Sequence, residues 1–274
     1  RGFEFNVGYN GKASKDLTFR AAVNGGYAKN KVVFMDEVPG APSYQLQEGK
    51  PINGYLVYES DGVFKNTAEI DANKLDYSAV TSRLIPGDMK FKDVNGDGKI
   101  NGDDQVRLDQ NSTPTFNFGA TIDIRYKGFD VSALFQGAMG ASIRIQTESG
   151  DIGNYLKYSY NNRWTIDNPS SVHPRLASRG DTYFTGGNYG NNTYYLFSKD
   201  YVRLKNIELG YNFPSNITEK LKLGNLRVYV NALNLFTIDK KYVAKDKFVE
   251  AYKMKTPFQE TEVDKEILKV KKVR

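Results

Sequence analysis

Apolar and polar residues alternate along the chain from residue 116 to residue 137. The sequence FNFGATIDIRY places an apolar residue at every second position from Phe116 to Tyr126, and a Lys127-Gly128 turn leads into FDVSALFQG, which alternates again. Successive side chains of a β-strand point to opposite faces, so this pattern predicts a hairpin with one apolar and one polar face. Phe116 and Tyr126 lie at the two ends of a run that is long enough for a tilted strand to cross a bilayer. The run is about twice as long as a typical strand of a soluble protein.

The same alternation predicts four further strands. They cover Gly2–Asn10, Leu17–Ala28, Tyr201–Phe213 and Leu226–Phe236. In the third of these, the apolar residues before and after position 206 are out of phase, which predicts a β-bulge near Asn206. With the hairpin, the sequence predicts six strands.

The connections between these strands are of two kinds. Residues 10–17, 126–129 and 213–226 make short connections, whereas residues 27–116 and 137–201 make very long ones. Short turns at one end and long loops at the other are typical of outer-membrane β-barrels. The pattern therefore favours an all-β, partial transmembrane antiparallel β-barrel with long extracellular loops. The alternative is a soluble or surface glycan-binding β-sandwich with a structural calcium.

Composition removes several other classes of protein. Mean hydropathy is −0.57 and no apolar run approaches a membrane-spanning helix, which excludes a helical membrane protein. The net charge of +6 forms no basic stripe with interleaved aromatics, so we expect no nucleic-acid partner. The sequence holds no cysteine and a single histidine, His173, which we expect at the surface of a loop. Without a recognisable catalytic motif, the sequence indicates that the protein is not an enzyme.

One segment, DVNGDGKINGDD, carries a candidate metal site. It matches the register of an EF-hand loop, in which alternate oxygen ligands converge on Ca²⁺ and a glycine at the sixth position, here Gly98, allows the sharp turn. Ile100 is expected to pack inward. The predicted ligands of a structural Ca²⁺ are Asp93, Asn95, Asp97, the carbonyl of Lys99, and Asp104. The alternative is a loop rich in Asn, Asp and Gly only because it turns.

The long connection at residues 138–200 is rich in aromatic residues. Aromatic rings next to amide side chains suit sugar rings, which offer C–H faces for stacking and hydroxyls for hydrogen bonding. The candidate substrate-binding residues are Trp164, Tyr183, Tyr189, Tyr194 and Tyr195. The alternative is a self-packed loop with its own small aromatic core.

Several motifs together carry a resemblance to a known family. GDMKFKDVNGDGKINGDDQVRL, TPTFNFGATIDIRYKGFDVSALFQGAMG, NNRWTIDNPSS, YVRLKNIELGYNFP and LRVYVNALNLFT follow in this order. This series resembles the C-terminal barrel region of SusC/RagA-type TonB-linked outer-membrane transporters of Bacteroidetes. The resemblance covers residues 1–237 and implies that they supply roughly the last third of a barrel of about 22 strands.

The resemblance also implies a location and partners. It places the chain in a Gram-negative outer membrane, where it would import oligosaccharides or peptides with a SusD-like lipoprotein as its lid. It would contact the TonB complex through an N-terminal plug region, and we expect the chain to begin downstream of that region.

The segment at residues 238–274 departs from the family pattern. It is charged, has no ten-residue alternating run and does not end in an aromatic residue. We therefore expect a divergent tail that forms no barrel strand, and we expect this chain alone to leave the barrel open.

Overall fold

A computed structural model describes residues 1–145, 157–170, 172–178, 180–181 and 191–239. Its strands are β1 (Gly2–Lys12), β2 (Leu17–Ala28), β3 (Leu56–Tyr58), β4 (Ser60–Val63), β5 (Met89–Phe91), β6 (Gln105–Arg107), β7 (Phe116–Tyr126), β8 (Phe129–Met139), β9 (Ser142–Arg144), β10 (Leu196–Ser198), β11 (Tyr201–Asn212) and β12 (Arg227–Asp239). Short helices are α1 (Thr67–Asp71), α2 (Lys157–Asn162) and α3 (Ser215–Thr218), with single 3₁₀ turns at Gly102–Asp104 and Thr193–Tyr195. No helix in this part of the chain is both long and apolar enough to cross a membrane.

The six long strands form one antiparallel sheet in the order β1-β2-β7-β8-β11-β12. They are the six strands that the alternation predicts, so the all-β, open-barrel architecture is confirmed. Strands β1 and β8 each run two residues further than predicted. Strand β12 runs from Arg227 to Asp239, so the first two residues of the predicted tail belong to the sheet. Residues 240–274 lie outside the described residues.

The predicted bulge lies in β11. The pairing of β11 with β8 shifts between Leu204 and Asn206, which leaves Lys205 as the extra residue. The shift brings Leu204 onto Phe135 and Ile207 onto Ala133, so the two out-of-phase halves of β11 present their apolar residues to the same face.

The two ends of the sheet differ in the way the sequence predicts. Strands β7 and β8 are joined by Lys127 and Gly128, both with positive φ (46° and 86°), as a two-residue type I′ hairpin turn requires. Short connections lie at this turn end of the sheet. The connections of residues 29–115 and 140–200 both leave from the opposite end, called the loop end here.

One face of the sheet is apolar and carries two bands of aromatic rings. At the loop end, Phe3, Tyr27 and Phe116 lie next to one another in register; at the turn end, Tyr126 and Phe129 pair, and the neighbouring ring of Tyr211 lies 4.5 Å from that of Phe129. Ten residues separate the bands along β7, roughly 34 Å, or about 25 Å normal to a bilayer at the usual tilt. Aromatic girdles at this spacing are typical of membrane barrels.

The apolar face is not covered by other parts of the described chain. Val7 remains 66% exposed, Val228 58% and Val230 65%. A soluble sandwich buries such a face under a second sheet. The described residues contain, besides the main sheet, only three two-stranded pairs in the long connections, so the structure does not support a sandwich.

The buried core of the described chain lies in the two long connections. The described residues of the connections 29–115 and 140–200 pack together as one body, called the loop body here. Its buried cluster is Tyr58, Phe64, Tyr77, Val80, Met89, Phe91, Ile100, Ala177 and Tyr195. Strand pairs β3–β6, β4–β5 and β9–β10 frame this cluster. The described parts of the long connections are therefore a packed structure at the loop end of the sheet.

Candidate functional site

The polar face of the sheet carries a charged network near the turn end. Arg227 crosses over Gly210, where any side chain would meet its guanidinium, and bonds the carboxylate of Asp130. The same guanidinium lies 2.7 Å from Glu208, and Asn212 donates to Asp130 at 2.8 Å. Glycine at position 210 is needed because the arginine uses the space above it. The network ties strands β8, β11 and β12 together on this face.

Further polar pairs continue this face towards the loop end. Ser132 donates to Asp123 at 2.6 Å, and Arg203 donates to Thr237 at 3.0 Å. Groups of this kind are costly against hydrocarbon and favourable against water. The face opposite the aromatic bands is therefore suited to line a hydrated lumen.

A hollow of about 910 Å³, called the amide cleft here, lies on the polar face at the loop end. Its floor crosses β1, β2, β7 and β8, with side-chain amides contributed by Asn6, Asn24, Asn117 and Gln136. Gly26 and Gly119 lie between these amides, and a Cβ at Gly119 would lie 3.1 Å from the Asn24 side chain. Glu4 and Lys205 also line the hollow.

The segment at residues 93–104 adopts the turns that the EF-hand register requires. Gly96 and Gly98 both have positive φ, and their N–H groups donate to the two carboxylate oxygens of Asp93 at 2.7 and 2.9 Å. Ile100 is fully buried in the loop-body core, as predicted. Position 12, Asp104, is also fully buried and accepts from the N–H groups of Val94 and Asn101, both at 2.8 Å.

The remaining predicted ligands also make local contacts. Asn95 accepts from Asp97 N–H at 3.0 Å, and Asp97 accepts from Lys99 N–H at 2.8 Å. The pKa of the neighbouring Tyr44 is raised, mainly by burial and to a lesser extent by the negative charge of Asp104. These oxygens are of the chemical type that Ca²⁺ prefers. Across the residues that the structure describes, however, no three carboxylate or imidazole groups are arranged to hold a metal ion.

The predicted substrate-stacking aromatics fall into three situations. Tyr195 is 1% exposed in the loop-body core, and Tyr194 packs against that core with its ring 4.9 Å from Tyr195. The indole of Trp164 covers Gly87 and donates to the carbonyl of Lys65 at 3.0 Å. These placements favour the self-packed aromatic core. Tyr183 and Tyr189 lie outside the described residues.

His173 is half-buried, which corrects the expectation that it lies at the surface. Its Nδ1 lies 2.7 Å from the hydroxyl of Tyr194, and burial lowers its pKa to about 4. The imidazole is therefore neutral at physiological pH and serves the packing of the loop body.

Arg175 joins the two long connections through a buried ion pair that the sequence does not reveal. Its Nε donates to Asp88 at 2.6 Å, and its two terminal nitrogens lie 3.1 Å from the carboxylate of Asp181. Asp88 is fully buried; burial raises its pKa to about 6, although Arg175 and the Ile85 N–H oppose that rise. Asp88 and Arg175 are 87 residues apart in the chain, and neither lies in a periodic segment.

Comparison with known proteins shows that the chain is similar to part of several TonB-dependent receptors. It is 30% identical over 251 residues to the TonB-dependent receptor P3 of Formosa agariphila and 23% identical over 252 residues to the TonB-dependent receptor SusC of Bacteroides thetaiotaomicron. No family model matches the chain. These relatives are receptors and not enzymes, which confirms the non-enzymatic prediction.

Solved structures share the fold of this chain. The RagAB peptide transporter matches 87% of this chain with a TM-score of 0.61 at 22% identity, and the closed form of the RagAB peptide importer matches with a TM-score of 0.60 at 23% identity. The matches cover 26% of those structures' chains, and the present chain spans about a quarter of the length of its curated relatives. The resemblance to SusC/RagA-type barrels is therefore confirmed.

Proposed function

Since the chain resembles part of a SusC/RagA-type TonB-dependent receptor barrel in sequence and fold, we propose that it forms a section of the wall of an outer-membrane importer. One observation carries this proposal: a single six-stranded sheet with an uncovered apolar face between two aromatic bands and a charged, polar opposite face. Lipid is the solvent that suits the first face, and a water-filled lumen suits the second.

The proposed substrates are oligosaccharides or peptides. The name of the RagAB transporter supports the peptide class for a protein with this fold. The loop body would lie at the outer surface, where a SusD-like lipoprotein would close over it, and energy would come from the TonB complex through a plug region. The compact packing of the loop body supports this arrangement because it offers a partner a defined surface.

We also propose that the segment at residues 93–104 binds a structural Ca²⁺. Asp93 and Asp97 would supply carboxylate oxygens, Asn95 an amide oxygen and Lys99 its carbonyl. Each of these carboxylate oxygens accepts one hydrogen bond, from a backbone N–H or, at Asp97 Oδ2, from the Asn95 side chain, and retains a lone pair beyond it. Asp104 would hold the loop closed from its buried position, through Val94 and Asn101. The ion would stabilise one edge of the loop body.

Uptake measurements test the transport proposal. A strain lacking the receptor that contains this chain should lose uptake of a labelled oligosaccharide or peptide mixture, and an uncoupler should abolish uptake in the parent strain because import depends on the proton-motive force. Complementation with the intact gene is the control. Unchanged uptake of both mixtures in the deletion strain, with the protein absent from outer-membrane fractions, would contradict the proposal.

A further inference from the structure

The amide cleft offers hydrogen-bonding groups that the protein itself does not use. Asn6, Asn24, Asn117 and Gln136 are exposed on its floor. Among the described residues, none of these four side-chain amides makes a hydrogen bond to the protein. Each amide can both donate and accept, so together they match a ligand with donors and acceptors in alternation. The peptide backbone is such a ligand.

Two glycines lower this floor for an extended chain. Gly26 and Gly119 place no side chain of their own between the amides, and the side chains of Glu4 and Asn24 lie over them. Both glycines lie in β-strands with no positive φ, so no turn requires them. A residue without a side chain in the interior of a strand often marks a place where another backbone approaches closely.

Two opposite charges mark the two ends of the cleft. Glu4 lies on β1, and Lys205 lies at the bulge of β11, four strands away. Neither forms a salt bridge within the described part of the chain. Four steps between neighbouring strands amount to roughly 19 Å across the sheet, and the register offsets the two residues by roughly 10 Å along the strands. The separation of roughly 22 Å is one that an extended peptide of about six or seven residues spans.

We propose that the amide cleft binds a short extended peptide that lies across the strands, with its ammonium terminus at Glu4 and its carboxylate terminus at Lys205. This inference rests on the proposed import function and selects peptides within it. A neutral oligosaccharide finds hydrogen-bonding groups on the floor but gains nothing from the charges at the ends. The bulge is part of the site because it adds Lys205, the unpaired residue of β11, to the lining of the cleft beside Leu134 and Gln136.

Calorimetry with capped peptides tests the proposal on the complete receptor that contains this chain, in detergent. The probe is a hexapeptide of alanine, serine and glycine, used free, N-acetylated or C-amidated, so that its termini are its only charges. Glu4→Gln should weaken binding of the free and amidated forms by about two- to fivefold and leave the acetylated form unchanged. Lys205→Gln should weaken the free and acetylated forms by a similar factor and leave the amidated form unchanged.

Matched controls separate the site from general charge effects. Glu219→Gln and Lys222→Gln make the same chemical changes at the turn end, outside the cleft, and should alter no affinity. Gly119→Leu, checked for heat-modifiable folding, should reduce the affinity for every peptide at least tenfold because the side chain fills the floor.

Three results would overturn the proposal. The first is that the free hexapeptide does not bind. The second is that both charge variants affect all three peptides equally. The third is that the two charge variants lose as much affinity for a neutral oligosaccharide as for the free peptide. Each can occur while uptake still depends on the receptor, so failure of the peptide site is distinguishable from failure of the proposed import function.

Discussion

The Nε of Arg175 donates to the carboxylate of Asp88 at 2.6 Å and so joins the two long connections at a fully buried point. Arg175 itself is 13% exposed, and it also holds Asp181 through two nitrogens. A charge-assisted bond in this position is strong, and removal of one partner leaves the other charge buried without compensation. The pair therefore determines how firmly the loop body holds together.

Replacement of Arg175 by methionine is expected to destabilise the loop body by about 3–5 kcal/mol, because the carboxylate of Asp88 would remain buried without its cation. Hydrogen exchange of the Phe64 and Arg175 amides, which bond across the body near this pair, measures the effect in the assembled barrel. Lys92→Met is the control: its ion pair with Glu59 is 54% and 35% exposed and should contribute less than about 1 kcal/mol. Equal exchange in both variants would contradict the role of Arg175.

The loop body should show two opposing pH dependences. Burial raises the pKa of Asp88 to about 6, so between pH 4 and 6 the folded protein keeps a proton that the unfolded chain releases. That group therefore lowers stability as the pH rises through this window. Burial lowers the pKa of His173 to about 4, so the unfolded chain holds the extra proton between pH 4 and 6.5. This second group raises stability as the pH rises.

Single substitutions should separate these two effects. In Asp88→Asn only His173 makes the stability depend on pH, so protease resistance of the loop body should increase from pH 4.5 to 6.5. In His173→Gln only Asp88 does so, and protease resistance should decrease over the same range. The wild type should change little. If both variants follow the wild-type profile, neither group titrates as described.

The periodic part of this fold was predictable from sequence, and the loop body was not. Alternation identifies β7 and β8 because each face of a strand meets one kind of solvent, and even the bulge at Lys205 follows from the change of phase. The core residues Tyr58, Met89 and Tyr195 come from three-residue elements up to 137 residues apart, which are too short to show a period. Burial of Tyr195 and the pairing of Arg175 with Asp88 are long-range packing facts that local patterns do not contain.

The candidate sites show the same division. The turn glycines and inward Ile100 of the segment at residues 93–104 were predictable because a tight loop restricts its own backbone. The amide cleft was not, because it forms only when β1, β2, β7 and β8 align in register. Loop aromatics such as Tyr194 are equally compatible in sequence with a ligand platform and with a core.

Calcium binding and loop closure are expected to separate by mutation. In the assembled barrel, Asp93→Ala with Asp97→Ala should abolish a calcium-binding event in calorimetry. Asp104→Asn should destabilise the loop by about 1–3 kcal/mol even with a chelator present, since it weakens two buried backbone hydrogen bonds. Absence of a wild-type signal at millimolar calcium would show that the segment is only a turn.

Arginine substitutions on the two faces of β7 should have unequal costs. Ile122 lies on the apolar face and Thr121 on the polar face of the same strand. Ile122→Arg in the complete barrel should lower outer-membrane yield, with a cost of about 2–4 kcal/mol near the midplane, whereas Thr121→Arg should be tolerated. Heat-modifiable gel mobility measures the folded fraction. Equal loss in both variants would contradict the assignment of the faces.

A single-cysteine scan of β7 tests the central claim most directly, because this chain has no cysteine of its own. In intact outer membranes, a water-soluble maleimide should label cysteines at Asn117, Thr121 and Asp123 and should not label those at Phe118, Ala120 and Ile122. A lipid-soluble probe should give the reverse pattern. The contradicting result is that the water-soluble reagent labels both sets and that the lipid-soluble probe does not prefer the second set. Strand β7 would then not span a membrane with one face towards lipid and the other towards a lumen.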